Sequence, residues 1–482
     1  MNAPINAPIN ATADAASLAT ATAAEIATAV ASGAVTARAV IEATLARIAA
    51  VDPKVNAFTD VTAERARATA DRIDARRAAG APLGPLAGAP FAVKNLFDVK
   101  GLPTLAGSKI NRDLSPADGD ATLIAKLEAA DAVLVGALNM GEYAYDFTGE
   151  NVHDGASRNP HDLTRMTGGS SGGSGAAVAA GLVPIALGSD TNGSIRVPSS
   201  LCGTFGLKPT YGRLTRGGSF PFVTALDHLG PLGRSVADLA AFYDAMQGED
   251  ARDPGQTPRP FEPVSGLIGQ GADGLRIAIA GGWFRSRALP EAFAAVDHVA
   301  ASLGVTEVVD IPDAARARAS AFIITAAEGA SLHARRLAAR GGDFDPAVRD
   351  RLLAGLAIPA SWVDAAQRFR RHFREEMLKL FEACDVLLAP ATPCRAPKLG
   401  QKTFVLDGEE MLVRPNMGLF TQPISFIGLP VVAVPVRVDV GEAPELPLAV
   451  QVIAPPWRED LALRVAATLE QAGVAAAPVA SL

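Results

Sequence analysis

TGGSSGGSGAAVAAGLVPIALGSDTNGSIRVPSSLC, residues 167–202, sets Ser170 and Ser194 in separate glycine-rich turns on either side of an apolar run of helix and strand character. Glycines crowd both serines, so the backbone can turn sharply there and aim its N–H groups at a ligand. No histidine lies in either turn. If these serines do chemistry, their base comes from elsewhere in the chain.

The first turn, GGSSGG, matches G-x-S-x-G twice, centred on Ser170 and on Ser171. A nucleophile elbow needs a core strand before the serine and a histidine after it. The residues before it, RNPHDLTRMT, are polar and proline-broken. The downstream His333 and His372 sit among arginines in helical segments and are expected on a solvated face. A phosphate loop needs Lys and Ser/Thr directly after its last glycine, and GGSSGGSGAA has neither. Packing against a neighbouring element accounts for Gly175 and Gly173, but not for a repeated serine between glycines. In the second turn, the N–H groups of Thr191, Asn192, Gly193 and Ser194 are placed to converge on an oxyanion. A plain β-turn with Asn-Gly at its centre is the alternative. A third residue, Lys94, ends the apolar strand FAVK. It either snorkels to solvent or is buried as a neutral base, and its neighbours leave both readings open.

Around these turns, helix and strand patterns alternate. Thr22 and Glu25 form a capping-box pattern at the start of a helical hairpin that runs to about Val51, with Gly33 as its break. An extended segment is expected at KVNAFTDV, and strands at PFAVK, DAVLVGAL, GLRIAIAGG, DVLLAPATP, LPVVAVPV and LPLAVQVIAP. This pattern predicts an α/β fold, a mixed and mostly parallel sheet with helices on both faces. Residues 21–482 are expected as a single domain with a helical excursion over about 250–380, preceded by a disordered tail over 1–20.

The formal net charge of -7 and the absence of a Lys/Arg run argue against a nucleic-acid partner. Cys202, Cys384 and Cys394 are odd in number and widely spaced, which suits a reducing compartment. The six histidines show no metal-ligand spacing, so neither a metal nor another cofactor is expected. No stretch approaches the roughly 20 apolar residues of a membrane span. Without a secretory leader pattern, a cytoplasmic location is the expectation.

Taken together, FAVKNLFDV, GGSSGGSGAAVAAG and GSDTNGSIRVPSSLCGTFGLKPTYGR resemble the amidase signature family, with LDHLGPLGRSVAD, APATP and GLPVVAVP continuing the likeness. The resemblance runs along nearly the whole chain and is most specific over 91–235. It implies a Ser–cis-Ser–Lys triad of Ser194 as nucleophile, Ser170 as proton relay after a cis Gly169–Ser170 bond, and Lys94 as base. It implies an acyl-enzyme intermediate, with Ser171 supporting the turn and Asp190 paired to Arg196 to hold the Ser194 loop.

The usual family turn is DTGGS, whereas this chain reads DTNGS at 190–194. With MGEYAYDFTGEN (140–151), GGSFPFVTALDHLGP (217–231) and FTQPISFIGLP (420–430), it resembles the branch that releases ammonia from small ureides of the 1-carboxybiuret type. That resemblance implies a small partner subunit like the third subunit of the tRNA-dependent amidotransferase, and allows a homo-oligomer. Other ureides, such as allophanate or oxalurate, and simple amides are alternatives, as is a degenerate binding scaffold. A further alternative is a glutaminase subunit of that amidotransferase, which holds the glutamine amino group with an acidic residue just before its FT-x-P-like segment. Gly418 stands there, which suits a substrate without an ammonium. Tyr145 and Gln422 are pocket candidates, and an anionic substrate would meet Arg351, Arg349 or Arg414.

Overall fold

The computed structural model describes residues 15–482. Eleven strands form one sheet. In chain order they are β1 (Phe58–Val61), β2 (Pro90–Lys94), β3 (Val133–Leu138), β4 (Ile185–Asp190), β5 (Phe205–Lys208) and β6 (His228–Gly233), followed by β7 (Ile277–Ala280), β8 (Val308–Val309), β9 (Val386–Pro390), β10 (Val431–Val436) and β11 (Leu448–Ile453). Their spatial order is β1-β3-β2-β4-β6-β5-β10-β11-β9-β7-β8. Every residue of β2, β3, β4, β5, β6, β9, β10 and β11 is buried, so helices cover both faces of these strands.

The sheet is mixed, as the sequence pattern predicts, but the balance within it differs. Its parallel ladders are β3-β2, β2-β4, β9-β7 and β7-β8, and the other six are antiparallel. Parallel neighbours need long crossovers, whereas the loop from β10 to β11 is short enough to return beside its own strand.

The capping box at Thr22 is present. The Glu25 N–H donates to Thr22 Oγ1 at 3.2 Å, and the Thr22 N–H donates to Glu25 Oε2 at 2.8 Å. Of the disordered tail expected over 1–20, Ala15–Thr20 is helical instead, with Leu18 and Ala19 buried. Arg234 holds its end by donating to the carbonyls of Thr20 and Ala21 at 2.9 and 2.7 Å. Residues 1–14 of that expectation lie outside the described residues. The excursion expected over 250–380 contributes β7 and β8 to the main sheet, and its helices begin at Pro290. Ala314–Arg340 and Ala360–Ala383 are its longest members. One apolar cluster contains Leu18, the sheet, Leu352 of the excursion and Ala477.

Candidate active site

β2 and β4 are parallel neighbours, so Lys94 at the end of one and Ser189–Asp190 at the end of the other reach the same sheet edge. Carboxyl ends of strands are where open α/β sheets place ligands. Lys94 is fully buried, and its Nζ donates to Ser170 Oγ at 2.6 Å and to Ser189 Oγ at 2.8 Å. Burial pushes the Lys94 amine down to about 7, against the opposing pull of Asp227, Asp190 and Asp146. The snorkelling reading is thereby excluded. No carboxylate bonds to Lys94 among the described residues, so little holds it charged.

Ser170 follows a cis bond from Gly169. The loop after β3 backs this turn: Gly141 N–H donates to Ser170 O at 3.1 Å, and Gly169 N–H to Phe147 O at 3.0 Å. Ser171 reaches across to the next strand, its Oγ lying 3.2 Å from Ser189 O and 3.3 Å from Ser189 N. Gly173 permits close packing, because a Cβ there would lie 2.5 Å from Asn139 O. The strand before this turn, Asp162–Met166, pairs with Arg158–Asn159 and bridges to Lys398, outside the main sheet. An elbow therefore has no core strand to stand on.

Ser194 is buried on the turn between β4 and the helix Arg196–Cys202, and its hydroxyl makes no hydrogen bond among the described residues. The N–H groups of Thr191, Asn192, Gly193 and Ser194 are likewise without partners there, while that of Ile195 is taken by Asp190. The turn is clamped from outside. Thr191 Oγ1 donates to Asp227 Oδ1 at 2.6 Å, and Thr421 Oγ1 donates to Asn192 O at 2.7 Å. Gly193 has φ of 141°, and a Cβ on it would collide with the Thr421 hydroxyl. Arg196 pairs in a fork with Asp190, both contacts at 2.9 Å, and both residues are fully buried. Its guanidinium also donates to Gln451 Oε1 at 2.6 Å, to Thr421 O at 3.1 Å and to Ser425 Oγ. Burial alone would raise the Asp190 carboxyl. The charge and hydrogen bonds of Arg196 hold it well below the usual carboxylate range.

The histidines do not serve these serines. His333 is fully buried, correcting the solvated-face expectation, because its side of the long helix packs on the rings of Tyr143, Phe220 and Phe344. Neither of its ring nitrogens has a partner. His228 Nδ1 lies 2.6 Å from Leu226 O and 3.0 Å from Asp190 O, and burial with Lys208 nearby keeps the ring neutral.

The arginines separate by their partners. Arg349 pairs with Asp350, and Arg414 pairs with Asp146 and Asp345. Arg351 lies 3.5 Å over the Tyr145 ring and, among the described residues, bonds only to Tyr145 O at 2.9 Å and has no carboxylate partner. Tyr145 in turn meets Phe222 at 4.9 Å between ring centroids. Gln422 Oε1 accepts from Arg318 Nε at 2.8 Å, which leaves Gln422 Nε2 buried without a partner. Asn192 Nδ2 bonds Thr325 Oγ1 at 2.9 Å, and its Oδ1 is likewise unpartnered. Ser189, Asp227, Thr421, Arg318 and Thr325 escaped sequence reasoning. Ser189 alone had a signal, lying next to Asp190 on a strand parallel to that of Lys94.

A buried lysine, serine-bearing turns and a row of free N–H groups thus meet at one sheet edge. The chain matches the amidase family over residues 39–463 and belongs to it; it is an amidase-type hydrolase of carbon–nitrogen amide bonds. It is 56% identical over 440 residues to AtzE, a 1-carboxybiuret hydrolase subunit from Pseudomonas sp. (strain ADP), covering 91% of this chain and 96% of that one. It is 37% identical over 466 residues to a glutamyl-tRNA(Gln) amidotransferase subunit from Anaeromyxobacter dehalogenans (strain 2CP-C), covering 91% and 93%. A solved structure described as "an unexpected vestigial protein complex", bearing on the origins of an s-triazine catabolic enzyme, superposes with a TM-score of 0.93 at 55% identity, over 95% of this chain and 99% of that one. Among the described residues no helix is long and apolar enough to cross a membrane.

Proposed function

We propose that this amidase hydrolyses a small ureide of the 1-carboxybiuret type and releases ammonia. The observation that carries the mechanism is Lys94, buried, bonded to Ser170 and held near neutrality. Ser194 Oγ attacks the amide carbonyl as its proton passes to Ser170, whose own proton passes to the Lys94 amine. The oxyanion faces the free N–H groups of 191–194. The proton returns through Ser170 to the leaving nitrogen, ammonia departs, and water then releases the acyl group from Ser194.

Three features support a ureide over glutamine. A side chain at Gly418 would run into the Phe147 ring, so no carboxylate fits there to hold an ammonium. Arg351 has no carboxylate of its own and suits a substrate carboxylate. The unpartnered Asn192 Oδ1 and Gln422 Nε2 match the N–H and carbonyl groups that a ureide offers. A small partner chain goes with this reading, since the similar AtzE is a subunit by name and the similar structure is described as a complex.

The test is ammonia release over 1-carboxybiuret, biuret, allophanate, oxalurate and glutamine, with mass mapping of a trapped acyl adduct. Ureide turnover with the adduct on Ser194 is expected. An adduct on Ser171, with Ser194→Ala still active, would overturn the assignment; preference for glutamine would overturn the substrate.

A further inference from the structure

The helix Ala360–Ala383 neutralises some of its own cations: Arg368 pairs with Asp364, and Lys379 with Glu376 at 2.7 Å. Its Arg371 and Arg374 are different. Both are exposed, and neither has an ion pair or hydrogen bond among the described residues. With Arg370 and Gln367 they line an open recess of about 440 Å³ bounded by Tyr211 and Trp457 from other parts of the chain, and among the described residues no carboxylate lines it.

Arg370 is fixed there. It donates to Phe426 O and to Ala225 O, the latter at 2.8 Å, and its guanidinium lies 5.8 Å from the Tyr211 ring. Among the described residues it has no carboxylate within ion-pair distance; Glu328 favours its charge from further off, and Arg374, four residues on, opposes it. Like charges at this helical spacing destabilise a helix unless an anion lies between them. The opposite wall is equally built. Trp457 has φ of 68°, a left-handed conformation costly for a bulky residue. Its N–H is anchored to Thr210 Oγ1 at 2.8 Å. The result is a cationic recess with aromatic walls on a chain of formal net charge -7.

We propose that this recess is an anion site, separate from the serine turns, for a small dianion: a phosphate monoester or a dicarboxylate. Two unpaired guanidinium forks match two oxyanion edges, and the cavity lies within the size range of small-molecule sites. Arg370 supplies a third positive charge from a fixed position.

The experiment is isothermal titration of the full chain at low salt with inorganic phosphate, phenyl phosphate and malonate, followed by Trp457 fluorescence, isolated by comparison with Trp457→Phe. Saturable one-site binding that weakens with salt is expected. The Arg371→Ala/Arg374→Ala variant should weaken it by about tenfold or more while leaving amide hydrolysis unchanged. Phosphate against malonate separates the two sources, and phenyl phosphate over phosphate reports a contact with the rings. No saturable binding of any probe at millimolar concentration would overturn the site. So would equal affinity in the double variant, which would mark the binding as an adventitious ion only.

Discussion

Lys94 has an ordinary value of 10.5 and is lowered by burial to about 7. At pH 8 a group of pKa about 7 is about nine-tenths neutral, whereas one at 10.5 is about 0.3% neutral, so burial enlarges the population of competent base about 300-fold. The expected profile of kcat/KM is therefore an acid limb with its midpoint near pH 7, falling about tenfold per pH unit below it. Asp227 heads the charges that oppose this lowering, so Asp227→Asn should move the limb to lower pH. Lys94→Arg should lose about 10³-fold or more in kcat, because a guanidinium keeps its proton. The assay is ammonia release from a ureide under saturating and limiting substrate across about pH 5.5 to 9.5. A flat profile, a limb in the ordinary lysine range, or retained turnover in Lys94→Arg would refute the reasoning. Linkage adds an independent check. The folded pKa lies below the unfolded one, so between about pH 7 and 10.5 the unfolded chain binds the extra proton. The Lys94 contribution to stability accordingly rises with pH across that window, and Lys94→Met should abolish it.

Arg196→Met strands the fully buried Asp190 carboxylate, and a loss of about 3–5 kcal/mol is expected in urea denaturation, together with loss of activity. Gly193→Ala combines a φ of 141° with a collision at Thr421, so about 1–3 kcal/mol and most of kcat should be lost; a variant of normal activity would remove the strain argument. Arg351→Ala should raise KM for a carboxylated ureide about tenfold, with kcat and the turnover of uncharged amides little altered. Thr22→Ala removes the capping box far from the site, and about 1 kcal/mol of stability with unchanged kinetics is expected.

Much of the site was legible because its backbone is local. Lys94 ends an apolar strand, Ser170 and Ser194 sit in glycine turns, and Asp190 and Arg196, whose pairing the family resemblance implied, are six residues apart. The capping box at Thr22 was legible for the same reason. His333 misled because arginines beside it in sequence suggested solvent, whereas its side of the helix meets Tyr143, Phe220 and Phe344, and Arg336 itself lies over the Phe220 ring. Among three candidate arginines, spacing had no means of telling Arg351 from Arg349 and Arg414. The partners that neutralise the other two, apart from Asp350 beside Arg349, come from distant segments.

By itself the sequence determined the alternation of strands and helices, the two serine turns and the lysine at a strand end, since each follows from φ/ψ preference and apolar period within a short window. Only the tertiary structure decided that Lys94 meets Ser189 as well as Ser170, and that Thr191 and Asn192 are held by Asp227 and Thr421. It also decided that Arg196 gathers Gln451 and Ser425 from more than two hundred residues away. Such convergence depends on sheet order and register, which place side chains from remote strands at one edge, and no local propensity encodes that meeting.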